Sequence, residues 1–528
     1  MTLREVVFAW IVLAGVAALA FYPHIRHGGF YSDDWSNGAL SLLPPTGPGL
    51  GHAISAFADL TIYRPILVVY VPLTYAIFGL HLHLHLLWAA CLAVCVAGLL
   101  YGVLRMLGVP WIHALAIAGL TLLFPWFDSV RLWVTGTQLS LSISFFLAGL
   151  WVALAGLDRD SWRWKIAAVL LYLLSILTYE ITLPMVAAIG LIYVLRAGWK
   201  KARVYWAVDI GVALVAGVWV AVHTERTASG LSGDVSHLGK IITNGGTLFG
   251  RSLLPLDPQR TTLALLAFAS VLLTGAVVYL RRSEKPEAGA RWGLGNWLLL
   301  ALGGVIVAAV GWVAFIPADP YYTPSIYGVT NRVNGLSGLG LVIAAYGAFG
   351  IVGSLVARTR TSRLGLLGLA VTLLLAVTLG ASYASVLHRH IGIWNAAYAA
   401  ERVGLNELRN RYPNMPPGST LFVAGYPAYQ APGVPIMSAN WDLDGMVELE
   451  YDNNELDAFP IIEGTELACR PDGVGLSGEG APETVAPYGT ARLLNLATGD
   501  SANPRNRARC LAVAEKFPSG PLYLSYEY

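Results

Sequence analysis

Residues 6–25 of the chain read VVFAWIVLAGVAALAFYPHI, and no charged side chain occurs between Glu5 and Arg26. These 20 residues would form a helix of about 30 Å, which is the thickness of the hydrocarbon core of a bilayer. Uncharged stretches of 22 and 25 residues follow at 106–127 and 333–357. The stretch at 6–25 therefore predicts a membrane-crossing helix, and its recurrence predicts several.

The composition of the whole chain leads to the same class of protein. Of 528 residues, 56% are hydrophobic and only 12% are charged, against about 25% charged residues in soluble globular domains. So few charges could not cover the surface of a water-soluble enzyme of this size. The net charge of +2 also leaves no basic surface for nucleic acid. The composition predicts a polytopic protein that contacts membrane lipids.

Eleven uncharged or nearly uncharged segments are long enough to be predicted as membrane crossings. They lie near residues 5–22, 84–106, 110–127, 132–155, 162–179, 181–199, 203–222, 261–281, 292–315, 336–357 and 363–383. Basic clusters then fall in loops on one side, which the positive-inside rule makes cytoplasmic. With eleven crossings the C-terminal part lies outside. The triplet Ala18-Leu19-Ala20 leaves open a cleaved signal peptide instead of a retained first helix.

The charge balance divides the chain into two predicted domains. Residues 1–383 carry 24 Lys and Arg against 15 Asp and Glu, a net +9, whereas residues 384–528 have a net charge of −7. We therefore predict a mainly α transmembrane bundle followed by a soluble extracytoplasmic α/β domain. In the second domain we expect an amphipathic helix at 394–412 and four strands. The strands are predicted at 420–423, 447–451, 492–496 and 522–526.

The cysteines and the absence of glycosylation signals indicate the cellular compartment in which the second predicted domain lies. Cys469 and Cys510 both fall in the predicted exported domain, where an oxidising environment would allow a disulfide between them. Two unpaired thiols are the alternative. The chain has no Asn-x-Ser/Thr acceptor site, which favours a bacterial envelope over a eukaryotic secretory membrane. We expect an inner-membrane protein with a periplasmic C-terminal domain.

Two adjacent acids, Asp33 and Asp34, follow the first predicted helix after about ten residues. Neighbouring carboxylates close to a membrane repel each other and lose hydration, which raises the pKa of at least one of them. A raised pKa suits a general base. A solvated helix cap and a calcium site are the alternative interpretations.

Three further polar residues lie at predicted membrane boundaries. Arg64, in the segment Tyr63-Arg64-Pro65, could clamp a phosphate or could anchor the chain at the interface. His85 begins the next predicted crossing, and a metal site formed with its neighbouring histidines is improbable because their spacing spreads them around a helix. Glu180 lies in a tight outer hairpin with 14 uncharged residues before it and 15 after it. An acid in such apolar surroundings is a candidate functional residue, with a solvated turn as the alternative.

A Pro- and Tyr-rich outer loop contains Tyr321 and Tyr322 and is followed by Arg332. Arg332 precedes a predicted crossing, where the helix dipole and the guanidinium would together suit a phosphate; a simple membrane anchor is the alternative. Walker, GxSxG and HExxH motifs are absent from the sequence. ATP hydrolysis, serine hydrolysis and zinc chemistry therefore lack support.

Together these motifs resemble the GT-C superfamily of integral membrane glycosyltransferases. The resemblance is to the branch that contains protein O-mannosyltransferases and lipid A aminoarabinose transferases, and it spans about 330 residues. The matching elements are Asp33-Asp34, Tyr63-Arg64-Pro65, Gly79 to His85, Thr178-Tyr179-Glu180 and the loop that ends at Arg332.

The resemblance implies a donor in which a sugar is linked through phosphate to a polyprenol, and an acceptor that is a glycan, a lipid or a protein. Asp33 would take the proton of the acceptor hydroxyl, and single displacement would invert the anomeric carbon. Asp34 would orient the acceptor or help to bind a divalent metal such as Mg or Mn. Arg64 and Arg332 would stabilise the leaving polyprenyl phosphate. Glu180 would hold the sugar or position a basic partner, and His85, Tyr321 and Tyr322 would contact substrate.

Two other functions are considered: a transporter (flippase) and a polymerase or ligase of lipid-linked glycans. Transporters usually place ionisable residues near the midplane of the bilayer on broken helices. The ionisable candidates here lie at the predicted outer boundary instead, which favours a transferase. The sequence does not distinguish transfer of a single sugar from polymerisation or ligation.

Overall fold

Helices make up most of the chain in the computed structural model, which describes residues 2–224, 231–255, 264, 267–268, 270–275, 292–357, 362–478 and 480–524. The helices before residue 255 are α1 Leu3–His27, α2 Asp33–Leu42, α3 Leu50–Thr61, α4 Pro65–Phe78, α5 Leu82–Met106, α6 Trp111–Leu123, α7 Ser129–Leu132, α8 Thr137–Arg159, α9 Trp162–Thr178, α10 Leu183–Ala188, α11 Gly190–Ala197, α12 Trp199–His223 and α13 Leu231–Leu253. The later helices are α14 Leu294–Val313, α15 Gly335–Val356, α16 Ser362–Arg411, α17 Asn440–Tyr451 and α18 Arg507–Val513. Short 3₁₀ helices are Pro125–Phe127, Glu180–Thr182, Val329–Asn334 and Ala514–Lys516.

Eight helical segments among the described residues are long and apolar enough to cross a membrane, by length and composition. They are Leu3–His27, Leu82–Met106, Thr137–Arg159, Glu180–Ala197, Trp199–His223, Leu294–Val313, Val329–Val356 and Leu366–Arg411. Each coincides with a predicted crossing. Of the other three predictions, 110–127 contains the shorter apolar helix α6, 162–179 is the 17-residue helix α9, and 261–281 lies largely outside the described residues. A multi-pass membrane protein is supported, and the number eleven stays a prediction.

Residues 23–83, which join the first two predicted crossings, are largely helical. They contain α2, α3 and the 14-residue apolar helix α4. Pro65 takes the first position of α4, where its missing N–H costs no hydrogen bond and its fixed φ suits a helix. The sequence did not indicate α4 because its apolar segment is too short to be counted as a crossing. The helices fix Asp33 and Arg64 at helix ends.

Helix α16 has 50 residues and is therefore about 75 Å long, more than twice the thickness of a hydrocarbon core. Its N-terminal half corresponds to the last predicted crossing, and its C-terminal half is the predicted amphipathic helix at 394–412. Tyr383, at the predicted domain boundary, is fully buried inside this continuous helix. The two parts of the chain are thus joined by a helix and not by a linker, and the division at residue 383 remains a prediction.

The C-terminal part contains a small sheet region. Its strands are β1 Thr420–Ala424, β2 Tyr429–Ala431, β3 Val434–Pro435, β4 Asp457–Pro460, β5 Thr465–Cys469, β6 Gly473–Gly478, β7 Val485–Pro487, β8 Ala491–Asn495 and β9 Ser501–Ala502. The main sheet has the order β4-β1-β8-β9, and central β1, buried on both faces, pairs in parallel with β4 and β8. The other strands form a two-stranded sheet and the three-stranded sheet β5-β6-β7. A disulfide joins Cys469 to Cys510, with 5.8 Å between their Cα atoms.

Two of the four predicted strands, at 420–423 and 492–496, correspond to β1 and β8. The prediction of a strand at 447–451 was wrong, because these residues end helix α17. The alternation in Val-Glu-Leu-Glu-Tyr favours a strand locally, but Leu443, Met446 and Val447 are buried at helical spacing and decide the outcome. The predicted strand at 522–526 extends outside the described residues, and within them Tyr523 forms an isolated bridge with Tyr429.

Candidate active site

A cavity of about 290 Å³ brings together residues from distant segments of the chain. Five predicted site residues line it, namely Asp33, Arg64, Glu180, Tyr322 and Arg332. Other lining residues are Tyr63, Trp133, Thr135, Gln138, Tyr179 and Phe315. The cavity is therefore the place where the sequence motifs meet.

Asp33 is the first residue of α2, directly after a strained turn. Ser32 has a φ of 48°, a conformation that costs free energy for a residue with a side chain. Among the described residues, the hydrogen bonds to the Asp33 carboxylate both end on Oδ1, which accepts from Trp441 Nε1 at 2.9 Å and from Ser32 Oγ at 3.3 Å. The second oxygen, Oδ2, is thus the one left to accept a proton in the cavity.

Asp34 has a different environment from its neighbour, because it is fully buried and does not line the cavity. Its Oδ1 accepts from the backbone N–H of Thr135 at 2.7 Å and from Thr135 Oγ1 at 2.6 Å. Its Oδ2 accepts from the N–H groups of Tyr31 at 3.0 Å and Val134 at 3.3 Å. Burial raises the pKa of Asp34 to about 7, against the lowering effect of these hydrogen bonds. Asp34 therefore fixes the segment at 134–135 against α2.

Arg64 and Glu180 form a bidentate ion pair at the cavity wall. Arg64 Nε donates to Glu180 Oε2 at 2.8 Å, and Nη2 donates to Oε1 at 2.6 Å. The guanidinium also lies over the ring of Tyr179, 3.9 Å from its centroid, and 4.9 Å from the centroid of Tyr63. One edge and one face of Arg64 are thus occupied, and the predicted phosphate clamp at this residue would have only the remaining N–H groups of Nη1 and Nη2 to offer.

Arg332 differs from Arg64 in having no carboxylate partner within 4.0 Å among the described residues. Its Nη2 donates to Tyr322 Oη at 3.1 Å, and its guanidinium lies 5.2 Å from the ring centroids of Trp133 and Tyr322. Its Nε is buried without a hydrogen-bond partner. A buried donor without a partner costs free energy unless a ligand supplies an acceptor.

A buried polar network supports the segment that carries Arg332. The side chain of Asn331 is fully buried, accepts from Ser129 Oγ at 2.6 Å and donates to Asp128. Nδ1 of His390, on α16, lies 2.8 Å from Asp128 Oδ2. The side chains of His390, Asp128 and Asn331 therefore link the long helix α16 to the segment that carries Arg332. Sequence reasoning missed this network because its members are up to 262 residues apart.

Two of the predicted substrate-binding residues lie away from the cavity wall. His85 is buried among the rings of Phe30, Tyr75 and Phe78, and its Nε2 lies 2.9 Å from the carbonyl oxygen of Gly79. Tyr321 is half exposed and contacts the ring of Tyr322, with 5.4 Å between centroids.

Of the lining residues that the prediction omitted, Tyr63 and Tyr179 directly adjoin Arg64 and Glu180 in the sequence, so adjacency could have indicated them. No predicted site residue adjoins Trp133, Thr135 or Gln138 in the sequence, so adjacency could not have indicated them.

The carboxylates at the cavity do not fit a divalent metal. Both oxygens of Asp34 are occupied by hydrogen-bond donors, and Glu180 is paired with Arg64. Only Asp33 among the described acids offers an oxygen to the cavity without a cationic partner. No group of three or more His, Cys, Asp or Glu side chains suited to a metal occurs in the described part of the chain.

The class of protein defined by these observations is a helical chain whose described part has eight segments able to cross a membrane and a cavity that combines a carboxylate with a guanidinium whose Nε lacks a partner. No protein-family model matches the sequence, and no curated protein does. Among solved structures it is similar to the oligosaccharyltransferase of Archaeoglobus fulgidus, tethered with an acceptor peptide containing the NVT sequon through a disulfide bond. The identity is 12%, the TM-score is 0.41, and the similarity covers 87% of this chain and 64% of the archaeal enzyme.

Proposed function

We propose that the chain is an inverting glycosyltransferase that moves a sugar from a polyprenyl-phosphate donor to an acceptor hydroxyl at the outer face of the membrane. The observation that carries the proposal is the cavity shared by Asp33 and Arg332. It combines a proton acceptor with a buried guanidinium whose Nε lacks a partner. Glycosyl transfer from a phosphate needs a base that takes the proton of the acceptor hydroxyl and a cation that stabilises the departing phosphate.

In the proposed reaction Asp33 is the general base. As the acceptor hydroxyl oxygen attacks the anomeric carbon, its proton passes to Asp33 Oδ2, and the bond from that carbon to the phosphate oxygen breaks. The leaving phosphate keeps the electron pair of the broken bond, so its negative charge grows. Because attack and departure occur on opposite sides of the carbon in one step, the anomeric configuration inverts.

Arg332 is the proposed binding residue for the leaving phosphate. Its unpaired Nε can donate to a phosphate oxygen, and the charge-assisted hydrogen bond strengthens as charge develops. The rings of Trp133 and Tyr322 lie beside the guanidinium, with their centroids 5.2 Å from it, and these apolar surroundings strengthen its electrostatic effect.

The Arg64–Glu180 pair has a different proposed role. Because the edge of Arg64 formed by Nε and Nη2 is bound to Glu180, the pair orients the carboxylate at the cavity wall. Glu180 would accept hydrogen bonds from sugar hydroxyls, while Arg64 Nη1 adds a second positive group near the donor. The proposed location is the inner membrane of a bacterial envelope, with the cavity and the C-terminal domain on the periplasmic side.

The test uses full-length protein reconstituted in liposomes with a panel of polyprenyl-phosphate-linked hexoses and pentoses labelled in the sugar, together with oligosaccharide, lipid and peptide acceptors that present hydroxyl groups. Release of free polyprenyl phosphate is the measured quantity. Asp33→Asn removes the proton acceptor with almost no change in shape, and we expect its rate to fall at least about 100-fold.

Asp59→Asn is the matched control, because Asp59 is an exposed acid on α3 in the same predicted outer segment. It should release polyprenyl phosphate at the rate of the unchanged protein. Normal turnover by the Asp33→Asn protein would overturn the proposed role of Asp33 as base.

A further inference from the structure

Trp441, the second residue of α17, is an exposed aromatic residue in direct contact with Asp33. The indole is 52% exposed, and its N–H donates to Asp33 Oδ1 at 2.9 Å. The two residues are 408 positions apart in the chain. The C-terminal part of the protein thus places a large ring beside the proposed base.

Close backbone packing fixes the position of Trp441. Helix α17 packs on α2 with Gly445 against the backbone of Ser36, where an added Cβ would lie 2.6 Å from the Ser36 nitrogen. Beyond the end of α17, Asn454 Nδ2 donates to the carbonyl oxygen of Leu43 at 3.2 Å. Contacts at both ends of α2 therefore prevent the indole from moving freely relative to Asp33.

The chain carries other accessible aromatic rings. Tyr321 is 54% exposed and packs against Tyr322, which lines the cavity together with Asp33. The ring of Tyr429 is 5.8 Å from that of Tyr523, which is 43% exposed. These rings come from the Pro- and Tyr-rich loop and from the C-terminal part of the chain.

Exposed rings beside hydrogen-bonding groups suit a carbohydrate. One face of a sugar ring presents C–H groups that pack on an aromatic surface, while its hydroxyls project at the edges. A sugar packed on the face of Trp441 would bring an edge hydroxyl towards the indole N–H side, where the Asp33 carboxylate lies. Aromatic faces do not pair with the N–H and C=O groups of an extended peptide, so they suit a peptide less well.

The charge beside Trp441 favours a neutral acceptor sugar over an acidic one. A sugar packed on Trp441 would lie beside the Asp33 carboxylate, whose Oδ1 is 2.9 Å from the indole nitrogen. An acidic sugar would be repelled by this carboxylate, which is ionised when it acts as the base. A neutral sugar avoids this repulsion.

We propose that Trp441, together with Tyr321, is the acceptor-binding platform of the enzyme and that the acceptor is a neutral carbohydrate chain. The inference rests on the proposed function, since it takes Asp33 as the base that receives the acceptor proton. It assigns the C-terminal domain a part in substrate recognition.

The test measures binding of purified full-length protein to an array of neutral and acidic oligosaccharides and of peptides containing Ser and Thr. We expect binding to neutral oligosaccharides. Trp441→Ala should weaken it at least about tenfold, the effect of losing about 1.4 kcal/mol. Trp441→Phe keeps a ring and should retain affinity within about threefold. Leu511→Ala, which truncates an exposed apolar side chain of α18 in the same domain, is the control and should bind like the unchanged protein.

Binding of the Trp441→Ala protein at unchanged affinity would overturn the inference, as would a preference for peptides or acidic sugars, or no binding to either array. A parallel assay of polyprenyl phosphate release, run with each oligosaccharide or peptide of the array as acceptor, separates the two proposals. Release that depends on Asp33, with oligosaccharide binding independent of Trp441, refutes the platform alone. Binding that depends on Trp441, with no release from any donor, refutes the transferase alone.

Discussion

At the scale of single residues, the structure separates two adjacent acids that the sequence treats alike. Asp33 lines the cavity, whereas Asp34 accepts hydrogen bonds from residues near position 134. Sequence spacing could predict an acidic pair at a helix end. It could not predict which member faces the cavity, because the partners of Asp34 are about 100 residues away in the chain. The same limit applies to the pairing of Arg64 with Glu180.

Arg332 is the residue whose replacement should most affect departure of the phosphate. Arg332→Gln removes the charge that opposes the growing negative charge, and we expect kcat to fall by about 100-fold or more. Arg332→Lys keeps a charge but loses the planar fork, so its kcat should be intermediate. The measurement is steady-state kinetics with varied donor concentration.

Arg389→Gln provides the comparison for Arg332, because Arg389 is an exposed arginine on α16. Its kcat should equal that of the unchanged protein. A fall in donor affinity with kcat unchanged in Arg332→Gln would show that Arg332 binds substrate and transition state equally. That result would contradict its proposed role.

At the scale of elements, helix α17 combines a docking function with one fully buried acid and two half-buried acids. Burial raises the pKa of Asp442 to about 8 and those of Asp444 and Glu448 to about 7. The helix packs on α2 at Gly445 and Ser36. The protonation state of these three acids is therefore linked to the free energy of unfolding of the C-terminal part.

The sign of this linkage follows from the raised pKa values. The folded protein binds protons more tightly than the unfolded chain, so its stability is greatest at low pH and falls as pH rises from about 4 to about 8. We expect the Tm of the C-terminal part to decrease by roughly 5 °C or more between about pH 5 and about pH 8. Thermal unfolding followed by tryptophan fluorescence measures it.

Asp442→Asn should flatten this decrease, because it removes the acid with the highest raised pKa. Glu455→Gln changes an exposed acid just after α17 and should leave the slope as it is. A Tm that rises over the same pH range would contradict the assignment of raised-pKa acids to this helix.

The secondary-structure elements were predictable to different degrees. Long uncharged stretches predicted eight segments correctly, because hydrocarbon thickness imposes a minimum length that is visible in the sequence. Helix α4 was missed since it is shorter than that minimum. Helix α17 was predicted in part as a strand, because its docking partner α2 lies about 400 residues earlier in the chain.

At the scale of the whole molecule, α16 connects the membrane part to the C-terminal part. It carries His390, which reaches the network behind Arg332, and Glu401, which approaches Trp35 of α2 with Oε2 3.4 Å from the indole nitrogen. Helix α16 therefore contacts both the network that supports Arg332 and the helix α2 that carries Asp33. This arrangement requires the C-terminal part to lie on the same side of the membrane as the cavity.

The expected topology gives a direct prediction about this arrangement. A periplasm-dependent alkaline phosphatase reporter fused after Tyr528 should be active, and one fused in the predicted cytoplasmic loop near Arg163 should be inactive. The physical reason is the excess of Lys and Arg in the predicted cytoplasmic loops. The reverse pattern would place the cavity on the cytoplasmic side and contradict a donor presented from the outer leaflet.

The central claim is that Asp33 and Arg332 act on opposite ends of one glycosyl phosphate. The most direct measurement is a structure of the Asp33→Asn protein bound to a polyprenyl-phosphate sugar. We predict a phosphate oxygen at about 2.7–3.2 Å from Arg332 Nε, with the anomeric carbon between that phosphate and residue 33. A phosphate bound outside the cavity, with Arg332 Nε still lacking a partner, would contradict the account.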